Sequence, residues 1–441
     1  MKALIVVLAA LAAAEAPQPD FSHPWTLAQC TRWALENNLT VQQQAITLEQ
    51  RELDLGTAKG GFLPSVSASA SENLSFGRGL TADNTYANTN TTSTSFSLGA
   101  GMTLFDGLAT PNQVQLARLN LEAATADLEK ARDDIRVAVA QAYMQILYNY
   151  EIRDVALQQI AIDSMQVARL EQMALSGKAS GAEVSQQKAT AAQSRVTLAQ
   201  AENNLKASLL DMAQLLEFAD YEGFSVARPA VRIDPYGVIP SVDAVFDDAV
   251  GLRPAVRADE IRLAATGKSL KIAKSALYPS LSLSGGVGSN YYTTSQGYPE
   301  TGFWDQLSNN FSQYVGLSLS IPIFSRFQTR NNIRSAQLNQ DLQRIQLRRT
   351  KQALYKEIQQ AVAGAESARA KFQAAEAAEA AATDAFRLVQ ARYENGKAGI
   401  TEFNESRNQY LKACSDRVQA TYEFLYQTRL VEFYRGTEIT L

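Results

Sequence analysis

Histidine and cysteine are nearly missing from this 441-residue chain. The single histidine, His23, lies near the start, so sites built from several histidines and a histidine triad deep in a core are excluded. Two cysteines, Cys30 and Cys414, allow at most one disulfide and no cysteine-rich metal site. They can pair after export or pack separately inside helices, and the sequence leaves both open. An excess of positive charge is missing too. Lys+Arg is 41 against Asp+Glu 45, a net charge of -4, which lacks the basic field that a dedicated nucleic-acid binder needs. After the N-terminus no stretch approaches 18 uninterrupted apolar residues, so no helical membrane anchor is expected. Catalytic constellations are equally scarce. Gly285 to Gly288 lies in a strand pattern and precedes no helix, so it is not a phosphate loop. The chain reads as a non-enzyme with no cofactor and no metal site. With 46% hydrophobic and 20% charged residues it is nevertheless not disordered by composition.

What is present begins with an export signal. Met1-Lys2 is a short positive start, Ala3 to Ala14 is an apolar run, and Ala14-Glu15-Ala16 fits a small-x-small cleavage site. Residues 1–16 therefore read as a signal peptide. Leu27 to Cys30 faintly resembles a lipoprotein box, but it lies far beyond that run, and Cys30 reads as a buried helix residue.

The mature chain then echoes itself. Phe62-Leu-Pro-Ser65 matches Leu277-Tyr-Pro-Ser280 at an offset of 215, and Gly177-Lys-Ala179 matches Gly396-Lys-Ala398 at an offset of 219. Two copies of a long unit, 17–228 and 229–441, imply duplication, with Pro229, Pro235 and Pro240 at the join. Each copy reads as helix, strand, strand, long helix, helix. The strands alternate with period two: Ser65 to Ser71, Phe96 to Leu104, Ser280 to Ser284 and Val315 to Ile321 each put an apolar set on one face and Ser, Thr or Gly on the other. A sandwich with one wet face and a lipid-facing barrel both fit this pattern; an exported chain with only four such strands favours the barrel. Four strands cannot close a barrel, and an open edge in lipid leaves backbone groups unpaired, so a membrane reading requires oligomerisation. The connections Gly77–Thr94 and Ser289–Ser312 are expected to be outward-facing loops. The helices are long. Asn112 to Ser176 has neither proline nor glycine, and Gln328 to Asn395 has one glycine, Gly364, so each spans about 100 Å. Thr110 is the expected N-cap, with Pro111 as the first helical residue. Gly177 and Gly396 are the expected stops, after which shorter helices return over about 180–218 and 401–435.

In the order of these features, twice over, the chain resembles the TolC family of outer-membrane efflux proteins. The resemblance includes the opening Trp25 to Asn38, the strand entries Leu63-Pro-Ser65 and Tyr278-Pro-Ser280, and both hairpin tips. It implies an α+β membrane protein. In that fold a homotrimeric 12-stranded β-barrel, four strands per chain, sits in the outer membrane and is continued by a long α-helical coiled-coil tunnel in the periplasm. The implied function is the passive exit duct of a tripartite efflux pump or type I secretion system. Its implied partners are a periplasmic adaptor, an inner-membrane transporter and outer-membrane lipid.

The resemblance also assigns roles. Gly177, Lys178, Gly396 and Lys397 at the tips match the adaptor-docking positions, while both glycines are helix caps on sequence grounds alone. Glu402 and Glu405, spaced i, i+3 on one helix face, match the acidic ring of the pore gate. Their other reading is favourable placement near a helix N-terminus. Tyr393 and Glu183 match a tip latch, although Ser180-x-x-Glu183 is equally a capping box. The family's latch arginine is replaced here by Ala398, with Lys397 adjacent. Two rivals remain: a periplasmic coiled-coil tether or adhesin-like stalk, which leaves the four symmetric strands unexplained, and a general porin, which has more strands and no such helices.

Overall fold

The computed structural model describes residues 20–80, 84–229, 234–295 and 301–440. The expected signal peptide, 1–16, lies outside them. The described chain runs α1 (Leu27–Asn37), α2 (Leu39–Gly60), β1 (Ser65–Leu80), β2 (Tyr86–Phe105), α3 (Ala109–Leu175) and α4 (Gly181–Leu215). The second half follows as α5 (Val242–Leu252), α6 (Pro254–Ser275), β3 (Ser280–Thr294), α7 (Phe303–Asn309), β4 (Ser312–Ser320), α8 (Gln328–Glu394) and α9 (Ile400–Tyr434).

The repeat is visible in helix lengths. α1 and α5 have 11 residues each, α2 and α6 have 22, α3 and α8 have 67, and α4 and α9 have 35. Leu27 and Val242 are 215 positions apart, whereas Ala109 and Gln328 are 219 apart, so the extra four residues fall within the strand pairs. The opening helix of each copy is two helices rather than one. Arg253 adopts an extended backbone because Pro254 follows it, and Pro254 then serves as the first residue of α6. In the first copy Asn38 makes the same break and its side-chain amide donates to the Leu215 carbonyl at 3.1 Å. Thr110 is not the N-cap of α3. Asp106 accepts from the Thr110 N–H at 2.8 Å and from its hydroxyl, so the carboxylate does the capping.

The four strands form one antiparallel sheet in the order β1-β2-β3-β4. The strands reach further than their alternation suggested. Pairing runs from Ser65↔Gly101 to Leu80↔Tyr86, so most of 77–94 is ladder rather than loop. Its Thr and Asn residues are well suited to a pleated surface, and the Thr89 and Thr294 hydroxyls meet at 2.6 Å across β2 and β3. The second connection holds the unexpected α7, where Phe303 packs on Tyr291 at 5.0 Å. Register aligns the faces. Ala68↔Leu98, Leu98↔Val287 and Leu283↔Leu317 put apolar residues opposite one another, while Ser67↔Gly99 and Ser282↔Ser318 do the same for small polar ones. Val315 is 84% exposed and Leu317 65%, so the apolar face is bare in the single chain. Among the described residues no helix is long and apolar enough to cross a membrane.

Two compact units emerge, each drawn from both halves of the sequence. One holds the described chain up to Ile46, Asp127–Arg257 and the chain from Thr350; the other holds Thr47–Ala126 and Ala258–Arg349. In the first, α4 buries Gln187, Ser194, Ala201, Leu205, Ser208 and Met212, the spacing of a coiled-coil seam. Cys30 and Cys414 are free thiols buried in α1 and α9, and burial pushes the Cys30 thiol up to about 12. Arg253 closes this unit. Its guanidinium meets Asp133 at 3.2 Å, donates to the Phe433 carbonyl and lies 4.4 Å from the Phe433 ring centre.

Arg253→Ala removes a mostly buried cation with its bond to the Phe433 carbonyl and its ring contacts, and leaves Asp133 with Arg136 at 2.7 Å as its remaining partner. We expect about 3 kcal/mol of destabilisation in thermal unfolding of the detergent-purified protein, with partial recovery in Arg253→Lys.

Candidate functional site

The tips of the two helical hairpins are built alike. α3 ends as the Gly177 N–H donates to the Ala174 carbonyl at 3.0 Å and the Lys178 N–H to Met173 at 2.8 Å. α8 ends in the same way, with Gly396 to Tyr393 at 3.0 Å and Lys397 to Arg392 at 2.8 Å. This paired bonding needs a left-handed residue, and Gly177 (φ 72°) and Gly396 (φ 69°) supply it. Both glycines are exposed with open space where a Cβ would sit, and the Lys178 and Lys397 side chains are exposed beside them. Each tip is thus a cap and a free surface at once.

The latch residues are both engaged, but not with each other. Glu183 accepts from the Ser180 N–H at 2.7 Å and completes a capping box, a bond that holds its carboxyl below the usual range. The Tyr393 hydroxyl accepts from the Gln166 amide of α3. The Arg169 guanidinium lies 5.1 Å from the Tyr393 ring centre and donates to the Glu394 carbonyl at 3.0 Å. Burial pushes the Tyr393 hydroxyl up. Tyr393, Phe386 and Phe403 form a buried aromatic cluster, against which Ala398 packs. The residue standing in place of the family's arginine therefore contributes apolar contact.

Glu402 and Glu405 occupy successive turns at the start of α9. Glu405 is exposed. Glu402 is paired with Arg392 of α8 at 2.7 Å, and Arg392 also reaches the Lys397 carbonyl at 3.4 Å. Both partners are roughly half exposed, so this pair holds weakly.

Behind the tip lies a cluster that sequence reasoning missed. Asp163 of α3 and Arg407 of α9 form an ion pair with side-chain exposures of 0% and 2%. Asp163 also accepts from Gln187 at 3.3 Å and from the Ser194 hydroxyl, both on α4. Asn404 reaches Gln187 at 3.4 Å, and Gln159 reaches Ser194 at 3.0 Å. The network is incomplete, because Arg407 Nε and Asn404 Oδ1 are buried without a partner. Burial lowers the pKa of the Arg407 guanidinium. A signal was available: Phe403, Arg407, Leu411, Cys414 and Val418 share the core spacing of α9, and Ala156, Asp163, Gln166 and Leu170 share that of α3. An acid and a base at seam positions of neighbouring hairpins are complementary. Among the described residues no group of His, Cys, Asp and Glu is arranged to hold a metal ion.

A four-stranded sheet with one bare apolar face, joined in sequence to two long helical hairpins, defines a class of outer-membrane channel subunit. The family description "Outer membrane efflux protein" matches residues 32–216 and 245–432, and the chain belongs to that family. The outer membrane protein OprJ of Pseudomonas aeruginosa is 25% identical over 372 residues, covering 82% of this chain and 74% of OprJ. Protein CyaE of Bordetella pertussis is 24% identical over 412 residues, covering 90% of this chain and 81% of CyaE. The Campylobacter jejuni outer membrane channel CmeC superposes with a TM-score of 0.79 at 18% identity, covering 94% of this chain and 87% of that structure. The protein is an outer-membrane efflux protein.

Removing one member of the buried pair leaves the other charge stranded. Arg407→Ala or Asp163→Ala is expected to cost about 3–5 kcal/mol in urea unfolding, with faster amide exchange in α9. The double variant Asp163→Leu/Arg407→Met is expected to recover most of that loss. A double variant whose loss equals the sum of the two single losses would show that the residues do not act as a pair.

Proposed function

We propose that three copies of this chain form a passive exit duct, closed at the hairpin tips and opened when a periplasmic adaptor docks there. The observation that carries the reading is the sheet. It is bare on one face and ends at β1 and β4, so each copy offers two unpaired edges. Lipid forbids such edges, and joining three copies closes a barrel of about twelve strands, within the range seen for membrane barrels. The small polar face then lines the lumen. A tether or stalk would need no such sheet.

The tip is the gate in this reading. Three copies bring three exposed Glu405 carboxylates and three Glu402–Arg392 pairs around one axis. Like charges so placed attract cations and resist further approach. Glu405 carries most of the field, because Arg392 offsets Glu402. The open surfaces at Gly177, Lys178, Gly396 and Lys397 are where the adaptor seats, and Tyr393 with its α3 partners fastens the closed tip. Glu183 contributes through its helix cap. Substrate capture and energy come from the inner-membrane transporter, and the duct itself catalyses nothing.

Single-channel recording in planar bilayers tests this. Wild type is expected to give small, cation-selective currents. Glu405→Ala is expected to lower cation preference on the order of tenfold, with a smaller effect from Glu402→Ala, and Arg392→Ala to raise it. Currents indifferent to all three changes would remove the gate assignment and keep the duct. Folded oligomer without current would favour the tether.

A further inference from the structure

We propose that the junction of β4 and α8 carries a binding site for the headgroup of an anionic phospholipid, formed by Arg326, Arg330 and Arg334 with Phe324 and Phe327 beside them. The inference rests on the sheet lying in a bilayer and goes beyond it by naming a lipid class and the residues that select it.

The apolar stripe of β4 and of the segment after it points to a membrane boundary. Val315, Leu317, Leu319, Ile321 and Ile323 recur with period two and are all more than half exposed, Ile323 at 95%. The stripe ends in Phe324 and Phe327, whose rings meet edge to face at 5.7 Å and are 72% and 60% exposed. Basic side chains follow at once. Between Ile321 and Arg349 there are six arginines and a single acid, Asp341, which is paired with Arg344 at 2.9 Å. Arg326, Arg330 and Arg334 are exposed and have no acidic partner among the described residues. Phe327, Arg330, Ile333 and Arg334 line one surface groove. An apolar band, then aromatic rings, then cations is the order of environments met on leaving hydrocarbon for headgroups.

The fold does not require these arginines. The equivalent turn of the first repeat, Gly107 (φ 65°) and Leu108 (φ 67°), has the same two left-handed residues as Arg326 (φ 49°) and Phe327 (φ 64°). Glycine takes that conformation without strain, whereas arginine does not. The first repeat also caps its helix with Asp106 and has only Arg118 against Asp106 and Glu122 over residues 104–126. In the second repeat, cations crowd the N-terminal turns of α8, where the helix dipole opposes them. Both copies carry one left-handed apolar residue, Leu108 and Phe327, but only the second adds a left-handed arginine and cations against the helix dipole, and these mark a site held for an external anion. Arginine forks match phosphate oxygens in pairs, and the adjoining apolar stripe selects a phosphate that carries acyl chains over one free in solution.

The full-length oligomer, reconstituted in nanodiscs of phosphatidylcholine with and without phosphatidylglycerol, tests this by native mass spectrometry of retained lipid. Wild type is expected to enrich phosphatidylglycerol. The triple variant Arg326→Gln/Arg330→Gln/Arg334→Gln is expected to lose on the order of 100-fold in apparent affinity for it. The triple lysine variant, which keeps the charge without the paired bonds, should fall between wild type and the glutamine variant, and Arg118→Gln should keep all of the preference. If the triple variant folds poorly, Arg326→Gly restores the residue of the first repeat and should lower enrichment by about fivefold without loss of folding. Undiminished enrichment in the glutamine variants overturns the proposal. So does equal protection of detergent-solubilised protein by glycerol 3-phosphate alone, which would make this a site for solution anions. Failure to enter nanodiscs of either composition would overturn the bilayer reading itself.

Discussion

The Asp163–Arg407 pair fixes how the two hairpins of one chain meet near their tips. Burying an ion pair adds little net stability, but breaking one is expensive, because a single charge is then left in a dry core. The pair therefore acts on register. α9 can slide against α3 only by removing Arg407 from its carboxylate, and Asp163 is held from a third side by Gln187 and Ser194 of α4. The three helices are thereby locked at one level. Arg407 Nε and the side-chain Oδ1 of Asn404 remain unpaired there, so the lock is not optimised for stability alone.

Beyond that level the contacts change character. From Asp163 to Gly177 about 20 Å of helix remains. Its fastenings are an aromatic cluster, an arginine over a ring, and the half-exposed Arg392–Glu402 pair. Each is worth far less than the buried pair costs to break. A movement of the tip can thus reorganise this last segment while the lock behind it holds. Ala398 fits the same division of labour. A cation at that position would add a directional bond at the tip, whereas alanine adds only contact with the cluster of Phe386, Tyr393 and Phe403.

Much of this was legible in the sequence, because it rests on periodicity and on residues with unusual backbone freedom. The two offsets, the alternation of the strands, and the glycines that end α3 and α8 are all local signals. The misses have physical causes. Thr and Asn between Gly77 and Thr94 look like loop residues but extend a two-faced ladder, since pairing across β2 satisfies their backbone. Pro254 broke a helix that composition alone would have continued. Asp106 displaced Thr110 as a cap because a carboxylate is the better acceptor at a helix start. At the candidate site, Glu402 and Glu405 share a face as their spacing requires, but Arg392 lies ten residues before Glu402 on another helix. Asp163 and Arg407 are separated by 244 positions, and only the recognition that both sit on buried seams could have joined them.

The duplication gives a second view of the same division. The repeat pairs helix with helix at equal length, yet the charged chemistry is not repeated. At an offset of 219, Arg407 corresponds to Lys188, which is an exposed partner of Glu171 at 2.8 Å, and Asp163 corresponds to Ala382. Glu405 corresponds to Gln186, and Arg392 to Met173, whereas Glu402 and Glu183 are both glutamates at a first helical turn. A glutamate in the first turn is common to the two copies, although only Glu183 closes a capping box, while α9 starts after Gly399 without a side-chain cap and Glu402 turns to Arg392. The residues that lock the hairpins and charge the tip occur once. Equal backbones with unequal side chains mean that the two hairpins are not interchangeable under load. The first presents its Schellman turn and capping box with little else at the tip, and the second carries the carboxylates, the cluster and the buried arginine. In the proposed duct, displacing the last turns of the second hairpin beyond the Asp163–Arg407 lock would therefore change the charge at the mouth, with the first hairpin as the wall against which they move.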